Sequence, residues 1–248
     1  MGYEFAAADG HHVGTFIKTP SVAVVEILGL AGLDFAVLDA EHAPLDRQAL
    51  DLAMVAGRAV SLPLFVRIPD KAQATILSVL DMGATGLLVP HVDTAQDALD
   101  VLAHARYRGG DRGFSNSPRA GRYGQLNMSD MIAAGDATRV MCQIETATAV
   151  DNVRAIARVR GIDGLFIGRG DLALSMGLES PRDPRLDAAV AEIIAAGHEA
   201  DIQVGMFVGN LAERDQFAAR GVDWFVVGSD QALLRQGAAA IARPRAQA

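Results

Sequence analysis

Four copies of one short pattern constrain this chain more than any other feature of it. The stretches Gly32–Asp39, Gly83–Pro90, Gly161–Gly168 and Gly221–Gly228 each open on a glycine, pass through a short small or polar turn, run through about four apolar residues and stop abruptly. A glycine at the head suits the left-handed conformation just past a helix C-terminus. A short run that is apolar on both faces is what a buried parallel strand requires. Between the copies lie four further strand candidates, Gly14–Lys18, Leu64–Ile68, Val140–Ile144 and Val204–Val208. Segments with Ala and Leu at helical spacing alternate with them: Ser21–Ala31, Asp46–Ala59, Ala72–Met82, Thr94–Tyr107, Ala147–Val159, Leu186–Ala200, Leu211–Arg220 and Gln231–Ala242. Asp46, Thr94 and Asn210 stand where N-caps belong.

Eight strands, each followed by a helix, predict a (β/α)8 TIM barrel. The competitor is an open, doubly wound sheet of eight strands. Because the glycine-led copies fall on strands 2, 4, 6 and 8, a closed, quasi-fourfold ring is favoured. A length of 248 residues matches one such barrel, and no linker or shift of composition divides 1–248, so one domain is expected. The segment 106–138 breaks the alternation. It has no clean strand and carries Arg106, Arg108, Arg112, Arg119 and Arg122 among glycines and serines. An excursion of that length is either functional, part of an interface, or a solvated basic loop.

Charge excludes some partners. With 22 Lys and Arg against 30 Asp and Glu the net charge is −8, a poor match to nucleic acid or an anionic membrane. No apolar run reaches the roughly 18 residues of a membrane span. The start, Met1–His12, has neither a cationic n-region nor an apolar h-region. One cysteine, Cys142, leaves neither an internal disulfide nor a zinc cluster. These readings predict a cytoplasmic, soluble protein whose partners are neither nucleic acid nor membrane.

In a barrel, chemistry collects where strands end. Strand 2 ends in Asp39-Ala40-Glu41-His42, strand 3 in Arg67, strand 5 in Gln143-Ile144-Glu145 and strand 6 in Gly168-Arg169-Gly170-Asp171. Glu145 and Asp171, on adjacent strand ends, either share a divalent cation with open water positions, the style of a Mg²⁺ site, or cap the helices behind them. Asp39 stands three residues before His42, close enough to orient an imidazole for general-base work; the alternative is a surface turn. Arg67 follows an apolar strand and needs an anionic partner, either substrate or a structural ion pair. With only two lysines in the chain, a Schiff-base enzyme would have to use Lys18 at the end of strand 1. No P-loop, dinucleotide fingerprint or nucleophile elbow is present.

Taken in order, the pieces Leu38-Asp-Ala-Glu-His-Ala-Pro44, Val66-Arg67, Leu80-Asp-Met-Gly-Ala84, Leu88-Val-Pro90, Gln143-Ile-Glu145, and Gly161–Gly168 followed by Asp171-Leu172 resemble the HpcH/HpaI aldolase family of metal-dependent (class II) pyruvate aldolases. The pair Ile144-Glu145 and Gly168–Leu172 is also similar to the metal-binding strand ends of pyruvate kinase. The resemblance implies that Glu145 and Asp171 hold Mg²⁺ or Mn²⁺, or a similar ion such as Co²⁺. It implies that the amides of Gly170 and Asp171 receive the 2-oxo acid carboxylate, and that Gln143 lies beside the substrate. It implies that Arg67 contacts the oxo oxygen, and that His42, oriented by Asp39, moves protons. Asp81 matches the position that joins this network, supplied by a neighbouring subunit, and the family's oligomers are commonly hexamers. One departure is Arg169, where many relatives have proline.

The expected reaction is reversible cleavage of a 4-hydroxy-2-oxo acid to pyruvate and an aldehyde such as succinate semialdehyde. Its rivals are a Schiff-base aldolase using Lys18, an acyl-CoA lyase of the citrate-lyase β-subunit type whose phosphorylated ligand would need the arginine-rich segment, and a non-catalytic barrel.

Overall fold

A computed structural model describes residues 10–180 and 182–242. Residues 1–9, most of the stretch read for a leader, lie outside the described residues. Eight strands, β1 (His12–Ile17), β2 (Phe35–Asp39), β3 (Leu64–Arg67), β4 (Gly86–Val89), β5 (Arg139–Ile144), β6 (Gly164–Ile167), β7 (Gln203–Val208) and β8 (Trp224–Ser229), close into one ring in sequence order. Every neighbouring pair is parallel, β8 with β1 included. The open-sheet alternative is thereby removed.

The helices are α1 (Val22–Leu30), α2 (Arg47–Ala59), α3 (Gln73–Asp81), α4 (Ala95–Ala105), α5 (Met128–Asp136), α6 (Ala147–Asp151), α7 (Val153–Ala157), α8 (Arg169–Ser175), α9 (Pro184–Glu199), α10 (Leu211–Ala218) and α11 (Asp230–Ile241). Three expected caps close their helices: Asp46 accepts from the Ala49 amide at 2.8 Å, Thr94 from Asp97 at 3.1 Å and Asn210 from Glu213 at 3.0 Å. The four repeat glycines all sit at positive φ, from 85° at Gly32 to 110° at Gly161, which is why only glycine recurs there. Strands β2, β3, β4 and β6 are buried at every residue, as strands covered on one face by helices and on the other by the barrel core must be.

The barrel interior is filled by pairing a large side chain with a glycine on the next strand. In register, Phe35 faces Gly14, Phe65 faces Gly86, Met141 faces Gly164 and Trp224 faces Gly205. Trp224 stacks on Phe35 with ring centroids 4.0 Å apart, and Phe65 meets it edge-on at 5.0 Å.

Three stretches depart from the sequence expectation. The helix expected over 147–159 breaks at Asn152, whose side-chain amide donates to the Asp93 carbonyl at 2.9 Å and pins the chain there. The short helix α8 follows β6 directly. The segment 106–138 has no strand, as expected, but holds a 3-10 turn at Arg119–Gly121 and then α5, capped by Asn127.

Nor is that segment a solvated basic loop. Arg112 is buried, lies over the Tyr107 ring at 4.5 Å and donates to Asp81 at 3.1 Å. Arg119 pairs with Asp51 at 2.5 Å, and Arg106 donates to the Gly161 carbonyl at 3.1 Å. Because it leaves the end of α4 and enters the start of β5, the segment belongs to the N-terminal face of the barrel. Among the described residues no helix is long and apolar enough to cross a membrane.

Candidate active site

At the opposite, C-terminal face the strand ends surround a cavity of about 750 Å³, lined by Lys18, Arg67, Gln143, Arg169, Asp171 and Phe207 among others. Arg67, which lines it, rests on the fully buried Asp39. These are register partners on β2 and β3, so their side chains leave the sheet on one face. Arg67 donates through Nε to Asp39 Oδ1 at 3.0 Å and through Nη2 to Oδ2 at 2.7 Å, and its guanidinium lies 4.6 Å from the Phe16 ring centroid. Lys18 Nζ reaches Asp39 Oδ2 at 2.9 Å. Burial alone would raise the Asp39 pKa, but the Arg67 fork, the Lys18 ammonium and the His42 amide outweigh it and hold the carboxyl at about 2.

This changes the expected role of Asp39. It touches His42 through the backbone amide, at 3.0 Å, whereas the His42 imidazole lies 3.6 Å from Glu41 and is more than half exposed. Asp39 orients Arg67, not the imidazole. It also occupies Lys18, whose ammonium would have to leave an ion pair before attacking a carbonyl as a Schiff-base nucleophile.

The second half of the site centres on Glu145 at the end of β5. Its carboxylate is buried. Oε1 accepts from the His91 amide at 2.7 Å and faces His91 Nδ1 at 3.1 Å, and Oε2 accepts from Gln143 Nε2. Desolvation raises the Glu145 pKa against these donors, with nearby Glu41 adding to the rise. His91 also approaches Glu41 at 3.4 Å, and Glu41 reaches Arg67 Nε at 3.3 Å.

His91 and Glu41 are the site residues that strand-end reading passed over. His91 follows β4 at φ 54°, and its ring, 63% exposed, lies over Glu145 and Glu41 at the rim of the site, a placement that leaves no trace in the sequence. Glu41 lay in plain view within the Asp39–His42 run.

A divalent cation has a physical rationale here. Gln143 Oε1 is buried without a hydrogen-bond partner, and Glu41 Oε2 has only the long ion-pair contacts to Arg67 Nε at 3.3 Å and His42 Nε2 at 3.6 Å, so oxygen acceptors remain for a cation. Gly168 leaves open space against Glu145: a side chain there would begin 2.9 Å from Glu145 Cβ and 3.2 Å from Oε2. Asp171, in the first turn of α8, is exposed and lines the same cavity as Gly168 and Gln143. Hard, oxygen-only donors suit Mg²⁺ or Mn²⁺. Among the described residues no group of three or more His, Cys, Asp or Glu could hold a metal, so Glu145 and Asp171 would have to share any cation with solvent and substrate.

Asp81, expected from a neighbouring subunit, and Arg169, the departure from the family pattern, are both engaged elsewhere in this chain. Asp81 is the last residue of α3, which runs away from the site to the N-terminal face, where it binds Arg112. Arg169 is drawn aside by Glu213 at 2.5 Å and lies over Phe217, though its Nε remains buried and unpartnered.

Comparison with known proteins identifies the family. The HpcH/HpaI aldolase/citrate lyase family model matches residues 12–237. The chain is 35% identical over 238 residues to a 5-keto-4-deoxy-D-glucarate aldolase of Klebsiella pneumoniae, covering 94% of this chain and 92% of that one. It is 36% identical over 251 residues to a 4-hydroxy-2-oxovalerate aldolase of Rhodococcus jostii, covering 99% and 96%. The crystal structure of an HpcH/HpaI aldolase/citrate lyase family protein from Burkholderia cenocepacia superposes with a TM-score of 0.89 at 32% identity, covering 93% of each chain. The chain is therefore a member of the HpcH/HpaI aldolase/citrate lyase family, a carbon–carbon lyase built on a single (β/α)8 barrel.

Proposed function

We propose that this protein catalyses the reversible aldol cleavage of a 4-hydroxy-2-oxo acid to pyruvate and an aldehyde, assisted by Mg²⁺ or Mn²⁺ held by Glu145 and Asp171. The observation that carries this reading is the buried Glu145 carboxylate beside Gly168, a residue that lines the cavity together with Asp171 and Arg67. The cation, when bound, supplies Lewis-acid stabilisation of negative charge on the 2-oxo oxygen.

The protein's own groups supply the rest. Arg67 spends Nε and Nη2 on Asp39 and keeps Nη1 as a donor for the same oxygen, pre-aimed at the charge that develops there. The amides of Gly170 and Asp171, in the first turn of α8, receive the 2-oxo acid carboxylate, and Gln143 flanks the substrate. His42 takes the proton of the 4-hydroxyl; the C3–C4 bond breaks, the aldehyde departs and the electron pair enters the enolate. Protonation at C3 then gives pyruvate. Asp81 joins this scheme only if a second copy of the chain brings it to the cavity, as a homo-oligomer would. The acyl-CoA alternative loses its ligand site, since the arginine-rich segment lies at the far face of the barrel.

A panel of aldehydes with pyruvate, assayed with Mg²⁺ or Mn²⁺ and again with EDTA, tests the reading. Cation-dependent condensation and pyruvate release support it. Turnover that resists EDTA, combined with borohydride trapping on Lys18, overturns it.

A further inference from the structure

The inward-facing positions of β1, β2 and β3 end in a row of alternating charge. Phe16 of β1, Val37 of β2 and Phe65 of β3 all belong to the cluster that fills the barrel interior. Side chains alternate along a strand, so the next inward positions are Lys18, Asp39 and Arg67. Register brings them side by side. Ile17 pairs with Leu38, which sets Lys18 opposite Asp39 one step further on, and Asp39 pairs with Arg67. A single carboxylate oxygen, Asp39 Oδ2, meets Lys18 Nζ at 2.9 Å and Arg67 Nη2 at 2.7 Å.

Lys18 is held from both ends. Its backbone amide donates to Asp230 Oδ1 at 2.9 Å, and the Thr19 amide donates to Oδ2 of the same buried carboxylate at 3.0 Å. Its Nζ lies 5.7 Å from the centroid of the Phe16 ring, the ring that also carries the Arg67 guanidinium. An ammonium has three N–H donors, and Asp39 takes one. The side chain is 26% exposed and lines the lyase cavity together with Arg67, so donors remain for a substrate. Because one oxygen yokes both cations, Lys18 and Arg67 address neighbouring positions in that cavity. A 4-hydroxy-2-oxo acid offers two oxygens at such a spacing, on C2 and C4, with one methylene between their carbons.

We infer that Lys18 is a further catalytic residue, whose ammonium donates a hydrogen bond to the C4 oxygen while Arg67 holds the oxo oxygen on C2; the inference rests on the aldol reaction proposed above. In cleavage, His42 removes the 4-hydroxyl proton and negative charge develops on the C4 oxygen, against a cation already in place. The C3–C4 bond then breaks, its electron pair enters the enolate, and the C4 oxygen leaves as the aldehyde carbonyl. In condensation the same contact polarises the incoming aldehyde, and His42 returns the proton to the alkoxide. Lys18 keeps its three protons throughout and forms no bond to carbon, so its role is electrophilic and not that of a Schiff-base nucleophile.

Two reactions of the full protein with Mn²⁺ separate this role from a structural one. Exchange of the pyruvate methyl protons in D₂O involves no C4 oxygen. Cleavage of 4-hydroxy-2-oxopentanoate to pyruvate and acetaldehyde does, and its acceptor is too small to depend on a side-chain pocket. Lys18→Met should lower kcat for cleavage about 10²-fold while slowing exchange at least tenfold less than that. Lys18→Gln, which keeps a donor without the charge, should lose about tenfold in cleavage, with circular dichroism confirming that each variant is folded. Equal losses in the two reactions would mean that Lys18 only holds Asp39 and Arg67 in place, and would overturn the assignment. So would undiminished cleavage in Lys18→Met. A wild-type protein that catalyses neither reaction with Mn²⁺ overturns the cation-assisted lyase reading itself, and the role of Lys18 falls with it.

Discussion

Asp39 carries two cations on one buried carboxylate, and that makes it the residue on which both stability and reaction geometry turn. Its folded pKa of about 2 lies below the ordinary 3.8, so ionisation favours the folded state. The contribution, on the order of 2 kcal/mol, is complete above about pH 4. It shrinks as pH falls from 3.8 towards 2, where folded and unfolded states are both protonated. Asp39→Asn should therefore lower unfolding free energy by about that amount at pH 7 and by progressively less towards pH 2, as read from urea melts at a series of pH values. Arg67→Lys should fold yet lose about 10²-fold in kcat/KM for pyruvate release, because an ammonium cannot hold the two-point contact to Asp39 and still reach the substrate. The pairing behind both predictions was only half legible in the sequence. Proximity along the chain pointed from Asp39 to His42, whereas strand register points from Asp39 to Arg67, and register appears only once the ring is closed.

At the scale of elements, the strands and most helices were readable because each rests on a local rule: uniform apolarity in buried strands, a cap residue at a helix start, a positive-φ glycine at a helix end. What was missed depends on contacts distant in sequence. The break at Asn152 is made by the Asp93 carbonyl, 59 residues away, and α5 is a short helix inside a segment whose charges suggested a loop. The glycine–aromatic pairs of the barrel core lie between these cases, since the residues are evident but their partners need the register. They make a sharp prediction. In Gly86→Ala the new methyl would begin 2.4 Å from the Phe65 ring and 2.8 Å from the Arg139 carbonyl, and overpacking of this kind costs about 1–3 kcal/mol. Chemical denaturation should show that loss, with the catalytic face altered little because Gly86 opens β4 at the far end.

Over the whole molecule, the two ends of the barrel divide their labour. The C-terminal ends of the strands gather the acids, amide and guanidinium of the lyase site, and the N-terminal ends carry the arginine-rich segment. Between them Cys142 is fully enclosed in β5, and burial pushes its thiol up to about 12. Labelling of Cys142 by an aromatic disulfide at pH 8 should therefore track global unfolding, with a rate that rises in urea alongside the loss of circular dichroism. Rapid labelling of the native protein would show that the barrel opens locally. The account as a whole rests on Glu145 and Asp171 jointly holding a cation against a 2-oxo acid. Its most direct test is exchange of the pyruvate methyl protons in D₂O, followed by proton NMR with Mn²⁺ removed before the spectrum is taken. The account predicts exchange that needs Mn²⁺ and is abolished by EDTA, by Glu145→Gln and by Asp171→Asn, with each variant still folded. Exchange that persists undiminished in either variant, or in EDTA, would contradict it.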